Sequence, residues 1–484
     1  KSEKSRIPFL KREHIMNLKM RQWIGLVLGL VCLVVMPLMP IGGLSLAGQL
    51  TLGIFLMAGI FWVTEPVPIY ATSVLVIFLQ VLLLSNKSPL LGQLSPEALE
   101  SFPVQSYEDF YGALASPIIM LFLGGFALAS AAVKYRLDKN LTRVLLKPFG
   151  SKPAFVALGL IVVTAILSAF MSNTATTAMM ITVVLPIVAS LKVDDPFRKV
   201  VALAIPVGAN IGGIATPIGT PPNAIALAAL AKNGVQISFS TWMLLAVPLV
   251  VLMIVLCWQA LMWFFPPKIK TFDVDMKDRF DTSPKAIAAY VIFGLTVLLW
   301  VTEKIHGVSS KVVAFLPVAM LPALGVIDKK DIRGFSWDVL WLMAGGISLG
   351  ISLKTTGLAE WMVNLVDWTS LGGFGLVAIF GLVGFVIANL VSHTVSATIL
   401  IPLAISLATS GAIGGSFNEV VGIVTIGVIV SFSMMLPIST PPNAIAMSTG
   451  MIETKDLAKI GAVVGLLGYV LTLIFGQLIW PHII

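Results

Sequence analysis

The heptapeptide Thr-Pro-Pro-Asn-Ala-Ile-Ala occurs twice in this chain, at residues 220–226 and 440–446. Other pairs keep nearly the same register. Ser172-Asn173-Thr174 returns as Ser392-His393-Thr394, again 220 residues on, and Gly124-Gly125 returns as Gly345-Gly346 at a spacing of 221. Trp62-Val63-Thr64-Glu65 returns as Trp300-Val301-Thr302-Glu303 at 238, which requires loops of different length. Several short identities held in one register mean that two copies of one folding unit make up the chain.

The solvent for that unit is lipid. Of 484 residues, 57% are apolar and 11% charged, where a soluble domain carries about 25% charged residues. A helix needs about 20 apolar residues to cross the hydrocarbon core. Runs of that kind begin near Trp23, Thr51, Tyr70, Ile118, Phe155, Val200, Trp242, Ala286, Val312, Val339, Phe374, Val420 and Ile460. Those at 155–191 and 374–407 are too long for one span, and each carries a polar triplet in its middle. They are expected to be re-entrant hairpins, which leaves 11 crossings. With the N-terminus in the cytoplasm and the C-terminus outside, 26 of the 31 Lys and Arg fall on the cytoplasmic side, as the positive-inside rule requires. Lys87, Lys232, Lys304, Lys311 and Lys354 remain outside.

The expected fold is therefore an all-α polytopic membrane protein with 11 transmembrane helices, two re-entrant hairpins and two repeats. A basic cytoplasmic segment, 1–22, is expected to lie along anionic lipid, followed by the first helix in 23–50. Repeat 1 occupies 51–266, with its hairpin at 155–191 and a broken helix at 200–230. Repeat 2 occupies 286–480, with its hairpin at 374–407 and a broken helix at 420–447. Five crossings separate the hairpins, an odd number, so the second repeat is inverted. Inverted repeats with interrupted helices are the signature of secondary transporters.

The net charge of +8 follows the membrane sidedness and does not indicate nucleic acid. Cys32 and Cys257 lie in apolar runs, make no disulfide framework and form no metal motif. No cleavable signal pattern opens the sequence.

Each repeat has two places where helical backbone must open. In the polar triplets, short side chains compete with the backbone for hydrogen bonds, and Thr174 is placed to cap the second hairpin helix. In Gly219-Thr220-Pro221-Pro222 the prolines end one helix near Thr220. A new helix then starts with Thr220 as N-cap and Pro221 at its first position. Four helix N-termini would converge, and their free N–H groups attract an anion. Freed carbonyls with Ser, Asn and Thr oxygens suit a hard cation such as Na⁺. The glycine pairs read as close helix packing. The two Trp-Val-Thr-Glu tetrads read as interfacial anchors without chemistry.

At these motifs the chain resembles the divalent-anion:sodium symporters, which carry di- and tricarboxylates and sulfate. The resemblance runs from Trp23 to the C-terminus. It implies a homodimer in which a transport domain moves against a scaffold domain in elevator fashion. It also implies that Ser172, Asn173, Thr174, Thr220, Pro221, Ser392, His393, Thr394, Thr440 and Pro441 hold the substrate carboxylates. A first sodium site maps onto Ser168, Ser172, Asn173 and Gly219. The second site departs from the family pattern, with His393 in place of Asn and Ala388 where an oxygen ligand is expected. His393 could donate to a substrate carboxylate, accept a coupling proton, or hydrogen-bond a neighbouring carbonyl.

The resulting expectation is a carrier of C4 dicarboxylates such as succinate, malate or fumarate, in the cell membrane, by sodium symport or by anion exchange. Citrate, 2-oxoglutarate and sulfate are alternatives of the same fold. An anion channel would not need the symmetry. An intramembrane hydrolase built on Ser392 and His393 lacks a third orienting group.

Overall fold

The computed structural model describes residues 19–89, 104–192, 194–271, 280–365, 372–409 and 418–484. In chain order the principal helices begin with α1 (Met20–Val35), α2 (Leu46–Thr64), α3 (Ile69–Leu84), α4 (Pro117–Lys134) and α5 (Leu137–Leu146). They continue with α6 (Pro153–Phe170), α7 (Asn173–Ser190), α8 (Phe197–Ile214), α9 (Pro221–Lys232) and α10 (Phe239–Phe264). The second half supplies α11 (Pro284–Val301), α12 (Phe315–Ala323), α13 (Trp337–Thr355), α14 (Gly372–Leu390) and α15 (His393–Thr409). It ends with α16 (Glu419–Ser431), α17 (Pro441–Ser448) and α18 (Thr454–Leu478). Among the described residues there is no strand.

Nine helices among these residues are long and apolar enough to cross a membrane, and five further apolar helices run 10–17 residues. The nine include the first arm of each hairpin, α6 and α14. The protein is an all-α polytopic membrane protein. Its outer surface agrees: Ile24, Val27, Val31 and Val34 on α1, and Val291, Leu295 and Leu298 on α11, are exposed. Large apolar side chains facing outward along whole helices require lipid as the surrounding medium. Nearly all of the basic segment 1–22 lies outside the described residues. Its end joins the fold, where Arg21 donates to the Val63 carbonyl and Gln22 to the Glu65 carbonyl at the turn between α2 and α3.

The repeat is visible in the packing. In each half a hairpin packs on the first part of the following broken helix, α6–α7 on α8 and α14–α15 on α16. The two halves also interlock: α9 lies against α15 and α16, and α17 against α7 and α8. The backbone repeats as well. The turn leaving α4 takes a left-handed residue at Arg136 (φ 55°), and the turn leaving α13 takes one at Gly357 (φ 72°), 221 residues later. That conformation costs an ordinary side chain energy and costs glycine almost none.

The glycine pairs divide their work between two directions. A Cβ on Gly124 would overlap the backbone of Ala314, and one on Gly345 would stand 2.5 Å from the Ser73 Cβ. The second glycines, Gly125 and Gly346, face Ile218 beside the first break and Thr398 on α15. Thus α4 and α13 each have one smooth side, toward Ala314 and toward α3 respectively, and another toward the hairpin and break region.

The tryptophans of the repeated tetrad do not sit at a lipid interface. Trp62 and Trp300 are fully buried, and Trp300 Nε1 donates to the Ser310 carbonyl at 3.0 Å. Their size serves interior packing, where a large ring removes the most apolar area from lipid contact.

Lys134, at the end of α4, pairs with Asp328 at 3.1 Å and Asp331 at 2.5 Å. The ammonium holds the Asp328 carboxyl below the ordinary carboxylate range, helped by backbone N–H groups of Lys330 and Asp331. A depressed folded-state pKa stabilises the protein above the unfolded-state value, about 4 for Asp, and that gain is lost as pH falls further. Asp328→Asn should therefore lower the thermal midpoint slightly at neutral pH and by less at acid pH, as the pH falls through the depressed carboxyl pKa. A midpoint lowered equally at both pH values would sink this assignment.

Candidate functional site

Both hairpin tips and both helix breaks meet at one cavity of about 640 Å³. Ser172, Asn173, Thr174, Gly219 and Pro221 line it from repeat 1, and Ser392, His393, Thr394, Thr440 and Pro441 from repeat 2. Thr220 and Ser168 are buried behind this wall, at 1% and 0% exposure. Four helix N-termini, those of α7, α9, α15 and α17, therefore face a common space. Each contributes the partial positive charge of its end; α7 and α15 add backbone N–H groups without an intrahelical acceptor, whereas α9 and α17 open with two prolines that have no N–H.

The caps differ in detail from the sequence expectation. Helix α7 begins at Asn173, so Ser172 and not Thr174 occupies the N-cap. At the second tip Ser392 caps α15, accepting from the Val395 N–H at 3.3 Å. With the cap two residues earlier, Asn173 and Thr174 lie inside the first turn and line the cavity. Thr220 and Thr440 are N-caps with Pro at the first helical position, as the sequence indicates. The first half of the broken helix stops earlier than expected, at Ile214, and an irregular segment leads to Thr220.

A buried amide holds each break open. Asn223 Nδ2 donates to the carbonyls of Gly213 (3.1 Å), Ile214 (3.2 Å) and Thr216 (2.8 Å). Its repeat mate Asn443 donates to Met434 (2.9 Å) and Leu436 (3.0 Å). The carbonyls of Gly213, Ile214 and Met434 are ones that the interrupted helix does not pair itself, and burial without a donor would be costly. A third asparagine, Asn210, ties the halves together by donating to Thr440 Oγ1 and Asn443 Oδ1, both at 3.1 Å.

Repeat 1 gathers oxygens beside its hairpin tip. Ser168 Oγ lies 2.5 Å from Asn173 Oδ1 and 2.9 Å from the Ala209 carbonyl. A Cβ on Gly213 would be 2.6 Å from Asn173 Oδ1 and 2.9 Å from the Gly219 carbonyl, and one on Gly219 would overlap the Gly213 carbonyl. Hydroxyl, amide and two carbonyl oxygens in so small a space make a neutral donor set that suits Na⁺ as cargo.

Repeat 2 is built differently at the same positions. Ala388 replaces Ser168, His393 replaces Asn173, and Ser433 and Ser439 replace Gly213 and Gly219. The serine hydroxyls occupy the room that the glycines leave and are already engaged. Ser433 donates to the Phe385 carbonyl at 3.1 Å, and Ser439 donates to the Asn389 carbonyl at 2.9 Å. His393 is buried at 5% exposure, and its Nδ1 has no hydrogen-bond partner among the described residues.

The cavity also recruits residues that the motifs do not mark. Glu65, Ile69 and Tyr70 come from the α2–α3 turn, Phe122 and Phe126 from α4, and Ser336, Asp338 and Leu342 from the start of α13. Glu65 ends α2 in a left-handed conformation (φ 52°). The signal for Glu65 was present in the repeated tetrad, whereas Phe122, Phe126 and Asp338 carry no local mark in the sequence.

A family model described as the sodium:sulfate symporter transmembrane region matches residues 20–484. The chain belongs to the divalent-anion:sodium symporter family. Membership makes it a membrane transporter and not an enzyme. Similar proteins include the sodium-dependent dicarboxylate transporter SdcS of Staphylococcus saprophyticus, 29% identical, with 96% of this chain and 92% of that protein covered. An uncharacterized transporter of Haemophilus influenzae is also 29% identical, with 94% and 96% covered. An uncharacterized transporter of Schizosaccharomyces pombe is 28% identical over 88% of this chain, which spans 49% of that longer protein. Among solved structures, the Alcanivorax borkumensis YdaH transporter has a TM-score of 0.55 at 12% identity, covering 85% of this chain and 98% of that one. At that identity the likeness is one of fold alone.

Proposed function

We propose that this symporter-family member carries a C4 dicarboxylate such as succinate, malate or fumarate across the cell membrane. The observation that carries the reading is the single cavity at which two hairpin tips and two helix breaks converge. Its walls offer helix N-termini and hydroxyls to two carboxylates. The name of the S. saprophyticus relative supports a dicarboxylate over citrate or sulfate, and leaves 2-oxoglutarate as the alternative dicarboxylate.

Movement follows from the same architecture. The hairpins and broken helices, with α10 and α18, form an elevator-like transport domain, and α1–α4 with α11–α13 form the scaffold that makes the homodimer contact. Helix α9 packs against α13, while its repeat mate α17 has no comparable packing on α4. The cavity thus opens beside Glu65 and Asp338, the side assigned to the cytoplasm together with the N-terminus. The arrangement is inward-open.

Coupling uses the repeat 1 oxygens for one Na⁺. The occupied geometry of repeat 2 favours either symport with fewer sodium ions or exchange of one dicarboxylate for another. Labelled succinate uptake into proteoliposomes, with and without a sodium gradient and with and without internal dicarboxylate, separates these. Sodium-driven uptake into empty vesicles establishes symport. Uptake that requires internal dicarboxylate and ignores sodium establishes exchange. No saturable uptake of succinate would overturn the substrate assignment.

Under symport, Ser168→Ala should raise the sodium concentration for half-maximal uptake about tenfold, the value of one lost oxygen contact worth about 1.4 kcal/mol. Succinate affinity at saturating sodium should change little. An unchanged sodium dependence would remove Ser168 from the cation site.

A further inference from the structure

A second cavity, of about 330 Å³, lies at the opposite end of α13 from the substrate cavity. Its walls are α9, the C-terminal half of α13 and α15, with Asp109 at the rim. Lys232 and Lys354 both line it. They are two of only five basic residues that the topology leaves outside, so their meeting in one cavity runs against the general exclusion of positive charge from that side.

Their partners are neutral and lie across the α9–α13 boundary in both directions. Lys232, at the end of α9, donates to the Ile347 carbonyl of α13. Lys354, near the end of α13, donates to Asn233 Oδ1 at the end of α9, at 2.9 Å. Among the described residues neither ammonium has a carboxylate within ion-pair distance. The Asp109 carboxylate is engaged in capping its own helix, accepting from the Ser106 N–H at 3.1 Å. Glu419 also faces Lys354, from the start of α16, at longer range.

The inner end of the repeat provides the contrast. Lys134, one residue beyond the repeat mate of Lys354, has two aspartates of its own. The outer lysines have the same need for negative charge and no side chain that meets it at contact distance. A carboxylate adds a full opposite charge to the contact that a neutral oxygen makes with an ammonium, so an incoming anion displaces the Ile347 and Asn233 contacts.

We propose that this outer cavity is a second anion site, at which Lys232 and Lys354 bridge an external dicarboxylate. An anion held there joins α9 to α13 and retains the inward-open arrangement, so that high external substrate slows the return of the carrier. This rests on the reading that α9 moves against α13 during transport. The space suits the ligand, because Gly346, Gly350, Ala228 and Ala229 keep the facing helix walls free of bulk.

The test is initial uptake of labelled succinate into proteoliposomes, from well below to well above its half-saturating concentration. Wild type should rise and then fall. Lys232→Gln and Lys354→Gln should match wild type within about twofold at low succinate, and should move the falling limb about tenfold higher, the value of one lost charge-assisted contact. Lys354→Arg, which keeps the charge, should keep the fall. Simple saturation in wild type would overturn the proposal. So would a fall unchanged in both Gln variants, or a change equal at all concentrations. Absence of saturable succinate uptake by wild type would refute the substrate assignment, and this regulation with it, whereas normal uptake at low succinate without the fall refutes the second site alone.

Discussion

Asn223→Ala should abolish succinate uptake and lower the thermal unfolding midpoint of the purified protein in detergent. One side chain serves three carbonyls of the first break, in a place with no exposure to solvent. Removing it leaves at least two buried acceptors without a donor, a cost of about 2–6 kcal/mol at about 1–3 kcal/mol each. The loss falls where α9 begins, so the positive end of that helix loses its fixed direction toward the cavity. Asn223→Asp should be at least as damaging, because a carboxylate offers no donor and would face carbonyl oxygens. Asn443→Ala should lose function too, and it also deprives Asn210 of an acceptor across the repeat boundary. Uptake within twofold of wild type in Asn223→Ala would show that the break holds its shape without this clamp.

Gly212→Val should prevent accumulation of folded protein. Even a Cβ at this position would overlap the Ala165 backbone where α8 crosses α6. No flexible side chain is available to move aside, so the helices themselves must separate. Overpacking a core costs about 1–3 kcal/mol when neighbours can shift, and here the obstacle is main chain. The same contact sets the distance of the first hairpin from the first break, and with it the oxygen cluster around Asn173. Gly294→Ala is the control. Nothing lies within 4 Å of its added methyl group, and alanine is the better helix former by about 1 kcal/mol. Size-exclusion profiles of the two variants in detergent should differ sharply. Matching monodisperse yields would mean that α6 and α8 pack more loosely than their distance indicates.

The breaks were legible in sequence because their cause is local. Proline removes a donor and fixes its neighbour's conformation wherever it occurs, so Thr220 and Thr440 could be placed as caps without any tertiary knowledge. The hairpin tips were legible because a polar triplet stands out in a long apolar run. The cap at Ser172 was missed by two residues, since all three residues of a triplet can cap and only packing decides among them. The asparagine clamps were partly visible: Asn223 and Asn443 stand in the repeated heptapeptide, but which carbonyls they reach depends on how the preceding segment folds back. Ser433 and Ser439 were in plain sight once the spacing of 220 is applied to Gly213 and Gly219. Asp338, Phe122 and Phe126 were not, because the cavity borrows them from helices far away in sequence, and Glu65 was marked only by the repeated tetrad. Trp62 and Trp300 misled for a related reason. A tryptophan at a helix end suits a lipid headgroup as well as a protein interior, and neighbouring helices make the choice.

The lining of the substrate cavity has an electrical consequence. Its two carboxylates, Glu65 and Asp338, stand on the α2–α3 turn and on α13, while the hairpin tips and breaks contribute no Asp, Glu, Lys or Arg. A binding site that crosses the membrane without a fixed charge of its own brings no current of its own, and whatever flows belongs to the cargo. A dianion with one Na⁺ then moves one negative charge per cycle, with two none, and with three one positive. Exchange of like dianions moves none at any voltage. The sign of a steady current across a planar bilayer would therefore count the sodium ions directly.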